Sequence, residues 1–292
     1  MDLASLIHRL SFGRAPEPPP IVSVIRLSGV IGSLGPLRSG LTLSGLAPAI
    51  ERAFKLPRLK AVALQINSPG GSPVQSALIA RRIRELAEEK ELPVVAFCED
   101  VAASGGYWLA CAADEIFADE SSIVGSIGVV SSGFGFQELI KRHGVERRLH
   151  TAGEKKTLLD PFKEEDPKEV ARLKAIQKEM HQTFIETVKA RRGERLKGSD
   201  KLLFSGEFWT GRKALDQGLV DGLGHLRPVM RQRYGDKVLL KPVDGSRPWW
   251  RRRLGMGFAP FDAQGAAGLG DGLASGLLAA AEERALWSRY GL

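Results

Sequence analysis

Two serines and a pair of lysines carry the chemistry this chain could perform. Ser104 lies in AASGGYW (102–108), just beyond an apolar run over 93–98. A serine at a helix start meets the positive end of the helix dipole, which stabilises developing negative charge. Gly105 and Gly106 behind it would let a substrate carbonyl approach closely. The competing reading is a plain helix cap, since serine is among the commonest N-cap residues. A second segment, NSPGG (67–71), follows the apolar run 61–66. Glycines at a strand's carboxyl end turn the backbone sharply and leave N–H groups facing a crevice. The amides of Gly70, Gly71 and Gly105 could therefore hold the oxyanion of a tetrahedral intermediate. The alternative there is an ordinary strand-to-helix loop capped by Ser68 or Ser72.

A serine hydroxyl needs a base. The five histidines are His8, His143, His150, His181 and His225, and none stands in a strand-end motif beside an acid. A Ser–His–Asp triad is set by geometry rather than by order in the chain, so spacing leaves it open but gives it no support. TAGEKKTLLDPF (151–162) offers a different base. Burial removes the solvation of a lysine's charged form, so a lysine shielded by Leu158, Leu159 and Phe162 could accept a proton near neutrality. Lys155, beside Glu154, suits a surface better than Lys156 does. In VGSIGV (124–129), Ser126 could hydrogen-bond to that amine and orient it.

The elements that must position these groups read as α/β. IVSVIRL (21–27), AVALQI (61–66) and PVVAFC (93–98) are apolar without polar alternation, and helical patterns at 43–54 and 72–90 separate them. Such strands belong to a parallel sheet covered on both faces. SGGYWLACAA (104–113) reads as a helix, DEIFA (114–118) and SIVGSIGVV (122–130) as extended, FQELIKRHG (136–144) as a helix and ERRLHTA (146–152) as a strand. The longest helical pattern covers 167–192, and 203–224 reads as a turn, a helix and a Gly-rich exit before a closing segment at 237–243. This predicts an N-terminal tail (1–20) with a short amphipathic helix, one folded body (21–243), a Gly/Pro/Arg-rich linker (244–275) and a terminal helix (276–292).

Composition narrows the function. The 292 residues are 43% hydrophobic, enough for a sizeable core. The net charge of +8 clusters only at Arg251–Arg253 and around Lys189–Arg192, so nucleic acid is not an expected partner. Cys98 and Cys111 read as buried small hydrophobes rather than a disulfide framework. The chain has no apolar run of about 18 residues, which predicts a cytoplasmic location. Residues 1–12, or Trp249, Trp250 and Arg251–Arg253, are candidates for peripheral contact with the inner membrane. There is no HExxH, no CxxC and no GxxxxGK[ST], so neither metal nor nucleotide cofactor is expected.

Taken in this order and spacing, NSPGG (67–71), AASGGYW (102–108), VGSIGV (124–129), the G-x-x-K of 153–156 and TGRKALDQGLVDGLG (210–224) resemble the S49 peptidase family, the signal peptide peptidase A and SohB group. The resemblance covers roughly 21–243. It implies Ser104 as nucleophile, Lys156 as general base, Ser126 as the serine holding the lysine, and Gly70, Gly71 and Gly105 as the oxyanion hole. It further implies a ClpP/crotonase-like superhelix of βαβ units, apolar peptide substrates, and a homo-oligomer whose neighbouring subunits complete each active site. Two rival readings are a crotonase-type acyl-CoA enzyme on the same scaffold, and a non-catalytic scaffold or membrane-surface binder.

Overall fold

The computed structural model describes residues 18–33, 40–153, 155–243, 280–281 and 283–292. The amphipathic helix expected at 1–10, both candidates for membrane contact and the linker 244–275 lie outside the described residues.

The body is an α/β structure built on a mostly parallel sheet. Its centre is β1 (Ile21–Ser28), β2 (Leu59–Ser68) and β3 (Val94–Ala103), paired in parallel with β2 between the other two. The helices α1 (Leu43–Ala53) and α2 (Pro73–Lys90) connect them. The N-caps are the small polar residues that such ends favour: the hydroxyl of Thr42 accepts from Gly45 N–H, and that of Ser72 from Gln75 N–H. After the short helix α3 (Gly105–Ala110) come β4 (Glu115–Ala118) and β5 (Ile123–Gly125). Both pair with β3 in parallel, β4 along Val95–Cys98 and β5 along Val101–Ala103. The last residue of β5, Gly125, therefore lies opposite Ala103, next to Ser104.

The chain continues through α4 (Gln137–Arg142), α5 (Pro167–Arg192), α6 (Asp200–Leu203), β6 (Phe208–Thr210), α7 (Gly211–Asp216), β7 (Gly222–Leu223), α8 (Leu226–Tyr234) and β8 (Leu239–Pro242). The sheet order is β6-β5-β3-β2-β1-β8, with β4 between β3 and β7, and only the β5–β6 pair is antiparallel.

Both faces of the centre are buried, which explains the unbroken apolar runs. Along β2, Val62, Leu64 and Ile66 face a core shared with α1, α2 and α3, while Ala61 and Ala63 face a smaller cluster closed by Met230 of α8. That covering helix was not legible in 226–234, a stretch with three arginines and few apolar residues. On the first face Arg192, 2% exposed, binds Asp221 through both guanidinium ends and also donates to Gly218 O. Tyr107 donates to Leu219 O at 2.7 Å. These bonds fasten the 210–224 segment beneath α3.

Two expectations are corrected. The segment 146–152 forms no strand: it is almost entirely exposed, its Arg148–Glu146 pair is local, and no described strand lies beside it to accept its hydrogen bonds. The extended stretch expected over 122–130 is a strand only to Gly125, because Ser126 turns the chain at φ +52°.

Candidate active site

At the end of β2 the backbone is pinned before it turns. Asn67 donates to Asp100 Oδ2 at 2.6 Å and accepts from Val101 N–H at 3.2 Å, tying the ends of β2 and β3 together. Gly70 N–H donates to the buried Ser68 Oγ at 3.2 Å, and Gly70 O accepts from Ile31 N–H at 2.8 Å. Gly70 has φ +105°, and a Cβ there would stand 2.8 Å from Ser104 Cβ and 2.9 Å from Gly105 N. Only glycine combines that φ with so close an approach. Ser72, not Ser68, caps the helix that follows.

Ser104 lies at the start of α3 in a conformation that L-residues rarely adopt, φ +52° and ψ −122°. A conformation of that kind costs about 1–3 kcal/mol and persists only where its surroundings impose it. Here the surroundings do: Ser104 N–H donates to Gly125 O at 2.8 Å, Ser104 O accepts from Trp108 N–H at 3.0 Å, and Gly70 packs on its Cβ. Its side chain makes no cap hydrogen bond, so the plain-cap reading of this serine fails. With α3 only six residues long, single amides rather than a long helix dipole must do the electrostatic work.

Of the three glycine amides, that of Gly70 is engaged by Ser68. Those of Gly71 and Gly105 have no acceptor among the described residues. The two lie close together, since a Cβ on Gly105 would be 3.4 Å from Gly71 N. Ser126, half-buried, follows Gly125 directly and donates its own N–H to Glu207 O at 2.7 Å. Beside Ser104 opens a small pocket lined by Gly71, Pro73, Gly105, Trp108, Gly128, Val129, Met180 and Phe184. The contribution of α5 to this wall was hidden in the sequence, because Met180 and Phe184, four residues apart, also suit an ordinary core face.

Lys156 is not among the residues that line this pocket. It lies on an arm, residues 130–166, in which most side chains are exposed, Phe134 at 81%, and its own side chain is exposed. The shielding expected from Phe162 is not made within one chain: that ring packs on Phe136 at 5.7 Å, with Arg147 over it. Lys155 is exposed as well. Among the described residues no histidine lines the pocket beside Ser104. His181 binds Ile127 O, and His225 pairs with Asp119 at 3.3 Å in a separate cavity on the second face of the sheet, where Glu99 and Asp100 also lie. Among the described residues no cluster of His, Cys, Asp or Glu could hold a metal ion, and no helix is long and apolar enough to cross a membrane.

Two Brucella proteins, from B. abortus and B. melitensis, are each 52% identical over 295 residues, covering 99% of this chain. Both bear the name Na(+)/H(+) antiporter NhaA, and the chain spans only 39% of their length. The chloroplastic serine protease SPPA of Arabidopsis thaliana is 33% identical over 213 residues, 70% of this chain and 31% of that protein. Protease 4 of Haemophilus influenzae is 34% identical over 190 residues, 64% of this chain and 30% of that protein. A solved membrane-bound stomatin-specific protease with a substrate peptide superposes at a TM-score of 0.48 and 14% identity, over 78% of this chain and 94% of that one. The sequence profile of peptidase family S49 matches residues 86–237, which include Ser104, Ser126 and Lys156, and the chain belongs to that family of serine peptidases.

Proposed function

We propose that the chain hydrolyses apolar peptides through an acyl-enzyme, with Ser104 as nucleophile, Lys156 as general base and Ser126 orienting the lysine. The observation that carries this is the Ser104 hydroxyl: it has no cap bond, and a strained backbone holds it against the Gly70–Gly71 turn and the Gly105 amide. In the first step neutral Lys156 takes the hydroxyl proton as Oγ attacks the scissile carbonyl carbon. The carbonyl oxygen becomes an oxyanion and is met by the N–H groups of Gly71 and Gly105, Gly70 serving to shape the turn. Lys156 then returns the proton to the leaving amine as the C–N bond breaks, and water hydrolyses the ester by the same route. One oxyanion donor typically lowers the barrier by about 3 kcal/mol. The pocket lining of Pro73, Trp108, Val129, Met180 and Phe184 suits a small or slender apolar side chain. It includes no carboxylate, so it offers nothing an acyl-CoA enzyme would use as its catalytic acid.

The base reaches the nucleophile from a second copy of the chain. Supporting this, Lys156 shares its exposed arm with Val130, Phe134, Leu139, Val145 and Leu158, apolar side chains that a neighbouring subunit would cover. Ser104→Ala and Lys156→Ala should each abolish hydrolysis of an apolar fluorogenic peptide while the protein stays folded. Mixed by co-refolding, the two dead variants should recover activity, up to about a quarter of wild type if subunits assort at random. A mixture as inactive as its components would place both groups in one chain. A Lys156→Ala enzyme with full activity would remove the lysine from the mechanism.

A further inference from the structure

The pocket beside Ser104 lies between two parts of the fold that have little else in common. On one side α5 supplies Met180 and Phe184; on the other, the turn after Ser126 supplies Gly128 and Val129. Phe184 is fixed by stacking on Trp108, with ring centroids 4.7 Å apart. The first half of α5 has no such anchor, for the buried residues of that 26-residue helix are Phe184, Val188 and Arg192. The turn runs close to the 205–207 segment, for a Cβ on Gly128 would lie 3.1 Å from Gly206 Cα, and Ser126 N–H donates to Glu207 O at 2.7 Å. One polar contact spans the two walls: His181 Nε2 lies 3.0 Å from Ile127 O. A carbonyl oxygen only accepts, so Nε2 carries the hydrogen and His181 is the donor. Ile127 is fully buried, and its carbonyl accepts the imidazole's hydrogen bond.

We infer that His181 is a positioning residue that sets the width of the substrate side-chain pocket by tying α5 to the turn after Ser126. It touches neither substrate nor the reacting atoms. Its hydrogen bond keeps Met180 and Phe184 at a fixed distance from Gly128 and Val129, and so holds the pocket to small or slender apolar side chains. The inference rests on the peptidase reading for what enters the pocket, but not for the geometry of the tie.

The test compares wild type, His181→Leu and His181→Gln, the last keeping a side-chain N–H donor. With three fluorogenic peptides that differ only in the residue before the scissile bond, Ala, Leu or Phe, His181→Leu should lower the kcat/KM ratio of Ala to Phe by about fivefold, the worth of one hydrogen bond. His181→Gln should stay within about twofold of wild type. A purely structural role would slow all three peptides by one factor, and that result overturns the inference. Hydrogen–deuterium exchange of residues 124–130 reads the tie without turnover: exchange should quicken roughly fivefold in His181→Leu and return to the wild-type rate in His181→Gln. Unchanged exchange in His181→Leu refutes the tie, whereas failure of wild type to cut any peptide refutes the peptidase reading alone.

Discussion

Gly70→Ala should damage catalysis in a way that its loss of stability does not explain. The added Cβ would lie 2.8 Å from Ser104 Cβ, 2.9 Å from Gly105 N and 3.0 Å from Ala103 O, where ordinary contact begins at 3.4 Å. Ser104 must then retreat by about half an ångström, and a displacement of about 1 Å in a reacting group costs on the order of a hundredfold. We expect kcat/KM to fall ten- to a hundredfold, about 1.4–2.7 kcal/mol of barrier. The φ of +105° adds a backbone cost of about 1–3 kcal/mol, which shows as a lower melting temperature. Gly29 separates the two effects, because it has the same φ of +105° and a Cβ there would meet nothing within 4 Å. Gly29→Ala should therefore lose comparable stability and keep its turnover. The assay is hydrolysis of an apolar fluorogenic peptide, with the rate of fluorophosphonate labelling of Ser104 and a thermal melt on the same preparations. A folded Gly70→Ala enzyme with kcat/KM within about twofold of wild type would refute the idea that Gly70 holds Ser104 in place.

Two further expectations concern the body that supports the site. Burial by itself would raise the Asp221 carboxyl, but hydrogen bonds from Arg192 and Ile116 N–H and the charges of Arg192 and Arg195 outweigh it and hold the group below its usual value. Its stabilising contribution is therefore present above the ordinary carboxylate range and lost as pH falls through the lowered folded value, below about pH 4. Asp221→Asn, which leaves Arg192 buried without its counter-ion, should cost about 3 kcal/mol at pH 7 and flatten the acid limb in urea melts; an acid limb as steep as wild type would contradict this. Burial pushes the thiols of Cys98 and Cys111 up to about 12, so neither should react with iodoacetamide at about pH 8 until guanidinium unfolds the chain. Rapid labelling of the native protein would show that this core opens.

What the sequence made legible follows from how local the cause is. The three central strands and α5, read at 167–192, depend on apolar runs, a helical period and a proline at the helix start, all local signals. The motif around Ser104 was legible as a helix start after a strand, but its φ of +52° was not, because that strain is imposed by Gly70 and Gly125 from distant parts of the chain. β6 and β7 escaped notice because they are three and two residues long and exist only through their partners. The strand expected at 146–152 had the right residues and no neighbour. Which of the glycine amides remain free is likewise a matter of hydrogen-bond partners: that Ser68 Oγ occupies the Gly70 amide could not be seen in NSPGG.

The contrast between Ser104 and Lys156 is the informative one. Ser104 is held by the buried Gly70, Ala103, Gly105 and Gly125, and its position follows from the packing of β2, β3, β5 and α3 in a single chain. Lys156 sits on a segment that contributes almost nothing to that packing, yet the segment carries enough apolar surface to make exposure costly. An amine standing in water keeps its proton and cannot act as a base, while one pressed into apolar surroundings beside hydrogen-bonding partners can. Were a second copy to close over the arm, as proposed, its apolar side chains would leave water and its amine would too. On the proposed mechanism, assembly and activation of Lys156 would then be one event, so that a chain alone, with Ser104 and its turn already in place, would hold its hydroxyl ready without anything to take the proton.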